Sequence, residues 1–236
     1  MLTATIDPGE TLSVVRRDPQ TRLNDYLCAL EAWLSCAVTT RVVFCENSGF
    51  DLAPLARLAA CHHDRTVEFI SSRGNDAGPV RGKGYSELKL IEHAMHASTL
   101  LSSSEIVFKC TGRLTVRNAV PLFNAIAAAD FDIMCPLARR LSVADSRVFA
   151  ATPACIREHL LTKTEMIDDM RHINVEHALA CAAASAVASR MTWRPFPVFP
   201  HVVGISGSTG KSGTERPLRR AARTAYHWLS KRVYER

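Results

Sequence analysis

Four short apolar runs, each followed by a helical pattern, constrain this chain more than any other feature. The runs are Leu2–Ile6 (LTATI), Arg41–Cys45 (RVVFC), Thr66–Ser71 (TVEFIS) and Glu105–Cys110 (EIVFKC). Between them, Leu23, Tyr26, Leu27, Leu30, Trp33 and Leu34 recur at helical spacing over 21–35, and 51–60 and 85–99 read as helices. Strand–helix alternation requires parallel strands with helices on both faces, so the expected class is α/β, a single Rossmann-like domain with a mostly parallel central sheet. The later chain is less regular: a helix over 119–129, strands at 131–135 and 147–151, helices at 153–161 and 173–190, and an extended, Pro-interrupted stretch to Phe199. Residues 202–213, rich in Gly and Ser, read as a loop.

Size and charge divide the chain. Its 236 residues allow one large domain, 1–210, and a C-terminal extension, 211–236. The formal net charge of +6 lies entirely in that extension, which has eight Lys or Arg against two Glu. Over 217–233, Leu218, Ala222, Tyr226, Leu229 and Val233 form one stripe with Arg219, Arg220, Arg223, Lys231 and Arg232 beside or opposite it. A basic amphipathic helix of this kind points to an anionic membrane surface as partner, with docking on the protein as the plain alternative. No nucleic-acid reader motif accompanies the charge. No apolar run is long enough to span a bilayer, and MLTATIDPGE lacks the pattern of a signal peptide, so the expected location is cytoplasmic, at most peripheral on the inner membrane face. The eight cysteines contain no C-x-x-C pair and several lie in apolar runs, the pattern of free thiols.

In such a sheet ligands bind beyond the carboxyl ends of the strands, so the chemistry is sought there. Glu46-Asn47 follow the second strand and Lys109-Cys110-Thr111-Gly112-Arg113 spans the end of the fourth. A loop over 72–84 with four glycines carries Arg81-Gly82-Lys83-Gly84 into the next helix, where Glu87 falls in an early turn. Glycine-bearing basic turns at helix starts expose amides and cations to phosphate. Gly112 is read as a positive-φ turn that lets Arg113 fold over the sheet edge. Lys109, alternating with Phe108 in a buried strand, needs a partner or a ligand. Thr5, with Asp7 and Arg22, is the candidate reader of base or ribose. The plain readings are a solvated loop, a helix-dipole Glu, an exposed turn and an Asn cap.

ENSGFDL, GKGYSE, KCTGR and ADSRVF together resemble a group of bacterial glycosyltransferases that build surface polysaccharide such as capsule or lipopolysaccharide. The resemblance runs from about Thr3 to Gly210 and implies a GT-A-like domain that moves a sugar from a nucleotide-sugar donor to a glycan or lipid-linked acceptor. It places Glu46, Asn47, Gly82, Lys83, Gly84, Glu87, Lys109, Thr111, Gly112 and Arg147 at the donor. Enzymes of this architecture carry an Asp-X-Asp after the fourth strand to hold a divalent metal; here that place reads Lys109 to Arg113. Hard metal ions need oxygen ligands, whereas Lys and Arg neutralise a diphosphate directly, so metal-independent transfer is expected, with no cofactor. Asp130-Phe131-Asp132 precedes a strand instead of following one. An inverting reaction needs a base, for which Asp145, Glu176 and the pair Asp168-Asp169 are candidates. Ser206 to Lys211 fails the spacing of a P-loop. The alternatives are a sugar-phosphate nucleotidyltransferase, whose glycine-rich loop belongs after the first strand, where Asp7-Pro8-Gly9-Glu10 stands, and a non-catalytic membrane-associated module.

Overall fold

A computed structural model describes residues 1–12, 14–205, 207 and 210. The expected basic helix over 217–233 and most of the rejected P-loop lie outside the described residues. In chain order the elements are β1 (Leu2–Ala4), α1 (Pro19–Leu34), β2 (Arg41–Glu46), α2 (Ala53–Ala59), β3 (Thr66–Ser71), α3 (Gly78–Arg81), α4 (Lys83–Ala97), α5 (Thr99–Ser102), β4 (Val107–Thr111), β5 (Leu114–Val116) and α6 (Ala119–Ala127). There follow β6 (Ile133–Met134), β7 (Leu137–Ala138), β8 (Val143–Ala144), β9 (Val148–Ala151), α7 (Pro153–Cys155), α8 (Val175–Ala188), β10 (Trp193–Arg194) and β11 (Val202–Gly204).

Seven strands form one sheet in the order β10-β6-β9-β4-β1-β2-β3. Only β9 runs against its neighbours, so the expected α/β class with a mostly parallel sheet is the observed one. The chain steps outward from β1 to β2 to β3, then returns to lay β4 on the other edge of β1. The strand order therefore reverses between β1 and β4, and a crevice opens at such a reversal.

Alternation along the strands feeds two cores. Val43, Cys45 and Val107 pack with Leu88, Ile91 and Met95 of α4 and with Ala178, Leu179 and Ala182 of α8. Leu2, Ala4, Phe44 and Cys110 face Leu23, Tyr26 and Leu30 of α1, Leu55 of α2 and Leu122 of α6. Trp33, Phe108 and Phe123 meet as tilted rings with centroids 4.7–6.2 Å apart. Among the core side chains, each that is fully buried contributes about 1.5–3 kcal/mol. The four buried cysteines, 45, 110, 135 and 155, have thiols pushed up to about 12 by burial, and all eight cysteines are free.

Local chemistry explains several boundaries. The Asp18 carboxylate accepts from Thr21 N (2.7 Å) and Pro19 takes the first helical turn, so α1 begins two residues before the expected start. Asp51 accepts from Ala53 N (2.9 Å), but Leu52 occupies the cap position of α2. The expected helix over 153–161 is α-helical only to Cys155, then widens to a π turn (156–160) and tightens to 3₁₀ (161–166). Part of the expected loop at 202–213 is instead β11, paired antiparallel with β5.

Candidate active site

The cleft at the strand reversal has a volume of about 270 Å³. Its walls come from the end of β1 (Thr3, Thr5), α1 (Arg22, Tyr26), the start of α4 (Lys83, Glu87), the end of β4 (Thr111, Arg113), Ser146-Arg147, and Glu176 in the first turn of α8. Lys83 and Arg113 therefore share one cleft. A second hollow of about 490 Å³ lies at the amino ends of the strands, among Trp33, Phe108 and Phe123. Among the described residues, Arg41 is the lone Lys or Arg on its wall, against four in the first cleft.

Two of those four cations meet without a carboxylate. The Arg22 guanidinium, 3% exposed, donates to the Thr5 carbonyl (Nε, 2.8 Å), the Arg16 carbonyl (3.1 Å) and the Tyr26 hydroxyl (3.2 Å). Arg113 Nε donates to the Ile205 carbonyl (2.9 Å), and its NH1 stands 3.5 Å from the same Tyr26 hydroxyl. Neither guanidinium forms an ion pair among the described residues. Burial lowers the Arg22 pKa, and Arg113 lowers it further. Arg113 reaches this position because β11 pairs with β5 and carries Ile205 and Gly207 over it. A Cβ on Gly207 would lie 2.5 Å from its NH2.

The cleft floor is a buried ion pair. Lys109 Nζ, 1% exposed, sits 2.7 Å from Glu87 Oε1 and also donates to the Ser146 carbonyl (2.8 Å) and Thr111 Oγ1 (3.3 Å). Thr3 Oγ1 donates to the same Glu87 oxygen (2.7 Å). Burial opposes the charge on Glu87, but Lys109, the Thr3 hydroxyl and Arg113 outweigh it and hold the carboxyl below its usual range. Ser146 in turn donates its hydroxyl to Glu176 Oε1 (2.9 Å).

Several expectations are corrected here. Lys109 does not face the cleft; it is saturated by Glu87, Ser146 and Thr111. Glu46 is fully buried and accepts from the amides of Ile6, Ser48 and Phe50, so it shapes the loop after β2 and is closed to a nucleoside. Asn47 braces the end of β1 by accepting from Thr5 Oγ1 (2.6 Å). Gly82 and Gly84 are packing residues: Gly82 (φ 90°) makes room for the Asp169 carboxylate, and Gly84 for Ile167 and Val175. The anionic group at the start of α4 is thus Asp169. Burial pushes its pKa up, against the pull of Lys83 and the Gly84 and Lys83 amides. Gly112 is not a positive-φ turn. A Cβ there would lie 2.9 Å from the Thr3 carbonyl, so glycine serves close approach of the β1 and β4 ends. Asp145 is off the cleft wall, held by the Arg147 guanidinium (2.8 and 2.6 Å) and amide (3.2 Å), while Arg147 itself lines the cleft. Asp168 accepts from the Met170 and Arg171 amides, and Asp132 from Thr192 N.

Of the expected residues, the cleft gathers Thr5, Arg22, Lys83, Glu87, Thr111, Arg113, Arg147 and Glu176, while Asp7 is off its wall. Tyr26 and Ser146 line the cleft as well: Tyr26 stands in no motif and is brought in by the strand reversal, while Ser146 lies inside ADSRVF, between Asp145 and Arg147, without having been singled out. The donor set at the end of β4 does not suit a hard cation: Lys109 and Arg113 stand there, and one oxygen of the adjacent Glu87 is bound by Lys109. No group of three His, Cys, Asp or Glu is placed to hold a metal among the described residues.

No protein-family model and no curated protein matches the chain. Among solved structures, the crystal structure of HddC from Yersinia pseudotuberculosis aligns over 83% of this chain and 83% of that one, at 10% identity and a TM-score of 0.38. That level of likeness carries no argument about activity. No helix among the described residues is long and apolar enough to cross a membrane.

Proposed function

We propose that the cleft binds the diphosphate of a nucleotide sugar and that the protein transfers the sugar to a glycan or lipid-linked acceptor, without a metal ion. The observation that carries this reading is the meeting of Arg22 and Arg113 at the Tyr26 hydroxyl, both without a carboxylate partner, in the cleft that Lys83 also lines. A buried guanidinium with no ion-pair partner is costly; Arg22 is buried and Arg113 half-buried, Asp25 and Glu87 act on them only at a distance, and a bound diphosphate would supply a close counter-charge. Arg22 is held by the Thr5 and Arg16 carbonyls and the Tyr26 hydroxyl and sets the local potential; Arg113 keeps guanidinium N–H groups without a partner among the described residues.

In the reaction the acceptor hydroxyl attacks the anomeric carbon as the bond from that carbon to the diphosphate oxygen breaks. Charge builds on the leaving diphosphate, where Arg113 and Lys83 meet it; pre-aligned cations act at this point because they need no reorganisation. The acceptor proton passes to a carboxylate. Glu176 suits this role better than Glu87, since Lys109 and Thr3 hold Glu87 as a weak base, whereas Glu176 takes one hydroxyl hydrogen bond from Ser146. The basic sequence over 217–233 supports an acceptor at a membrane surface.

A thermal-shift screen against UDP-, GDP-, CMP- and dTDP-linked sugars in EDTA tests the reading. Stabilisation by one nucleoside class is expected; no response to any of them contradicts it.

A further inference from the structure

Resting on the nucleotide-sugar reading, we propose that Glu87 is the residue that selects the donor, by accepting a hydroxyl hydrogen bond on Oε2 from its ribose or its sugar. Both protein contacts to this carboxylate, from Lys109 Nζ and Thr3 Oγ1, fall on Oε1 at 2.7 Å. Oε2 has no hydrogen-bond partner among the described residues, and it is not among the buried polar atoms that lack one. Glu87 stands on the cleft wall with 22% of its side chain exposed, so Oε2 is the oxygen open to a ligand. Its partner oxygen is fixed from two directions, by β1 through Thr3 and by β4 through Lys109. The carboxylate is therefore oriented before a ligand arrives.

The chemistry narrows what meets it. An ionised carboxylate accepts hydrogen bonds and donates none. It repels phosphate, so it does not serve the diphosphate that the cleft cations attract. In a nucleotide sugar the donors that adjoin the phosphates are the hydroxyls of the ribose and of the transferred sugar, whereas the base N–H groups stand a full ribose away. A hydroxyl bound to a charged acceptor gives a strong, directional contact, and losing it leaves the carboxylate unmatched. The cations confer affinity for any polyphosphate; Glu87 confers discrimination among them.

The test compares wild type with Glu87→Gln by calorimetric titration in EDTA, using inorganic pyrophosphate, UDP, 2′-deoxy-UDP and UDP-glucose, with the GDP and GDP-mannose series run alongside. Gln keeps an acceptor for Thr3 but no longer attracts a hydroxyl through charge. Expected is a loss of about 10- to 100-fold for the hydroxyl-bearing ligand, with pyrophosphate binding unchanged or tighter. If UDP or GDP already shows the loss and the 2′-deoxy form does not, the ribose is the source. If only the sugar-linked form shows it, the source is the sugar. Equal change for pyrophosphate and the nucleotides in Glu87→Gln overturns the proposal, because Glu87 then acts through charge or structure alone. Wild type that binds pyrophosphate but no nucleotide or nucleotide sugar overturns the nucleotide-sugar reading itself, and with it this proposal. Because Glu87→Gln leaves Lys109 buried without counter-charge, Glu87→Gln/Lys109→Met, which removes both charges, is titrated in parallel. Retained discrimination in a folded double variant equally counts against the proposal.

Discussion

Lys109 Nζ lies 2.7 Å from Glu87 Oε1, under a cleft whose other charged walls are mostly cationic. The pair joins α4 to β4 across the strand reversal, and through the Ser146 carbonyl Lys109 also reaches the turn that orients Glu176.

Removing one partner of this pair exposes its worth. Lys109→Met should destabilise the fold by roughly 3 kcal/mol, since it leaves a largely buried carboxylate unpaired. Lys109→Met/Glu87→Gln should recover much of that loss. Urea midpoints for the two variants decide it; equal stability of Lys109→Met and wild type would mean the pair is idle.

Glu87 and Asp169, perturbed in opposite directions, should give opposite pH dependence. The folded pKa of Glu87 is depressed, so its stabilisation is present above the unfolded value of about 4.3 and is lost as pH falls through the folded value. The folded pKa of Asp169 is raised by burial, so its contribution is present below the unfolded value of about 3.9 and is lost as pH rises through the folded value. Glu87→Gln should flatten the acid side of the stability curve, and Asp169→Asn should raise stability at neutral pH relative to wild type. Denaturant titrations between pH 3 and 8 read both.

Two glycines separate packing from binding. A Cβ on Gly112 would meet the Thr3 carbonyl at 2.9 Å, and backbone yields little, so Gly112→Ala should cost about 1–3 kcal/mol of stability. The three atoms nearest a Cβ on Gly207 would all belong to the end of the Arg113 side chain, which can move. Gly207→Ala should keep the melting temperature and weaken nucleotide-sugar binding. Unchanged binding there would detach the Arg113 position from the site.

Much of this was legible in the chain. The alternation of apolar runs and helices from Leu2 to Cys110 announces the sheet, the end of the fourth strand names Thr111 and Arg113, and the glycine-bearing basic turn names Lys83. A Lys inside an apolar strand announced that it needed a partner, but not that the partner was Glu87, because the two are joined only when α4 packs over β4. The pairing of β11 with β5 stayed hidden, since three-residue strands over 80 positions apart leave no local pattern. Helical spacing places Tyr26 on the apolar stripe of α1, and its ring is core, while its hydroxyl turns to Arg22 and Arg113. The glycines at 82 and 84 looked like a phosphate loop because close packing and phosphate binding both demand glycine.

Glu176 carries the proposed proton transfer. Glu176→Gln should lower kcat about 10²- to 10⁴-fold with little change in donor KM, whereas Asp145→Asn, off the cleft wall and paired with Arg147, should act more weakly. Steady-state kinetics on the two variants decide between them, and a larger effect at Asp145 would reverse the assignment.

The central claim is that side-chain cations receive the leaving diphosphate. The most direct measurement is sugar-transfer turnover in excess EDTA for wild type and Arg113→Ala, with melting temperature as the control for folding. The account predicts that wild type turns over in EDTA and that Arg113→Ala, still folded, loses at least about 100-fold. Turnover that requires added Mn²⁺ or Mg²⁺ and is indifferent to Arg113 would contradict it.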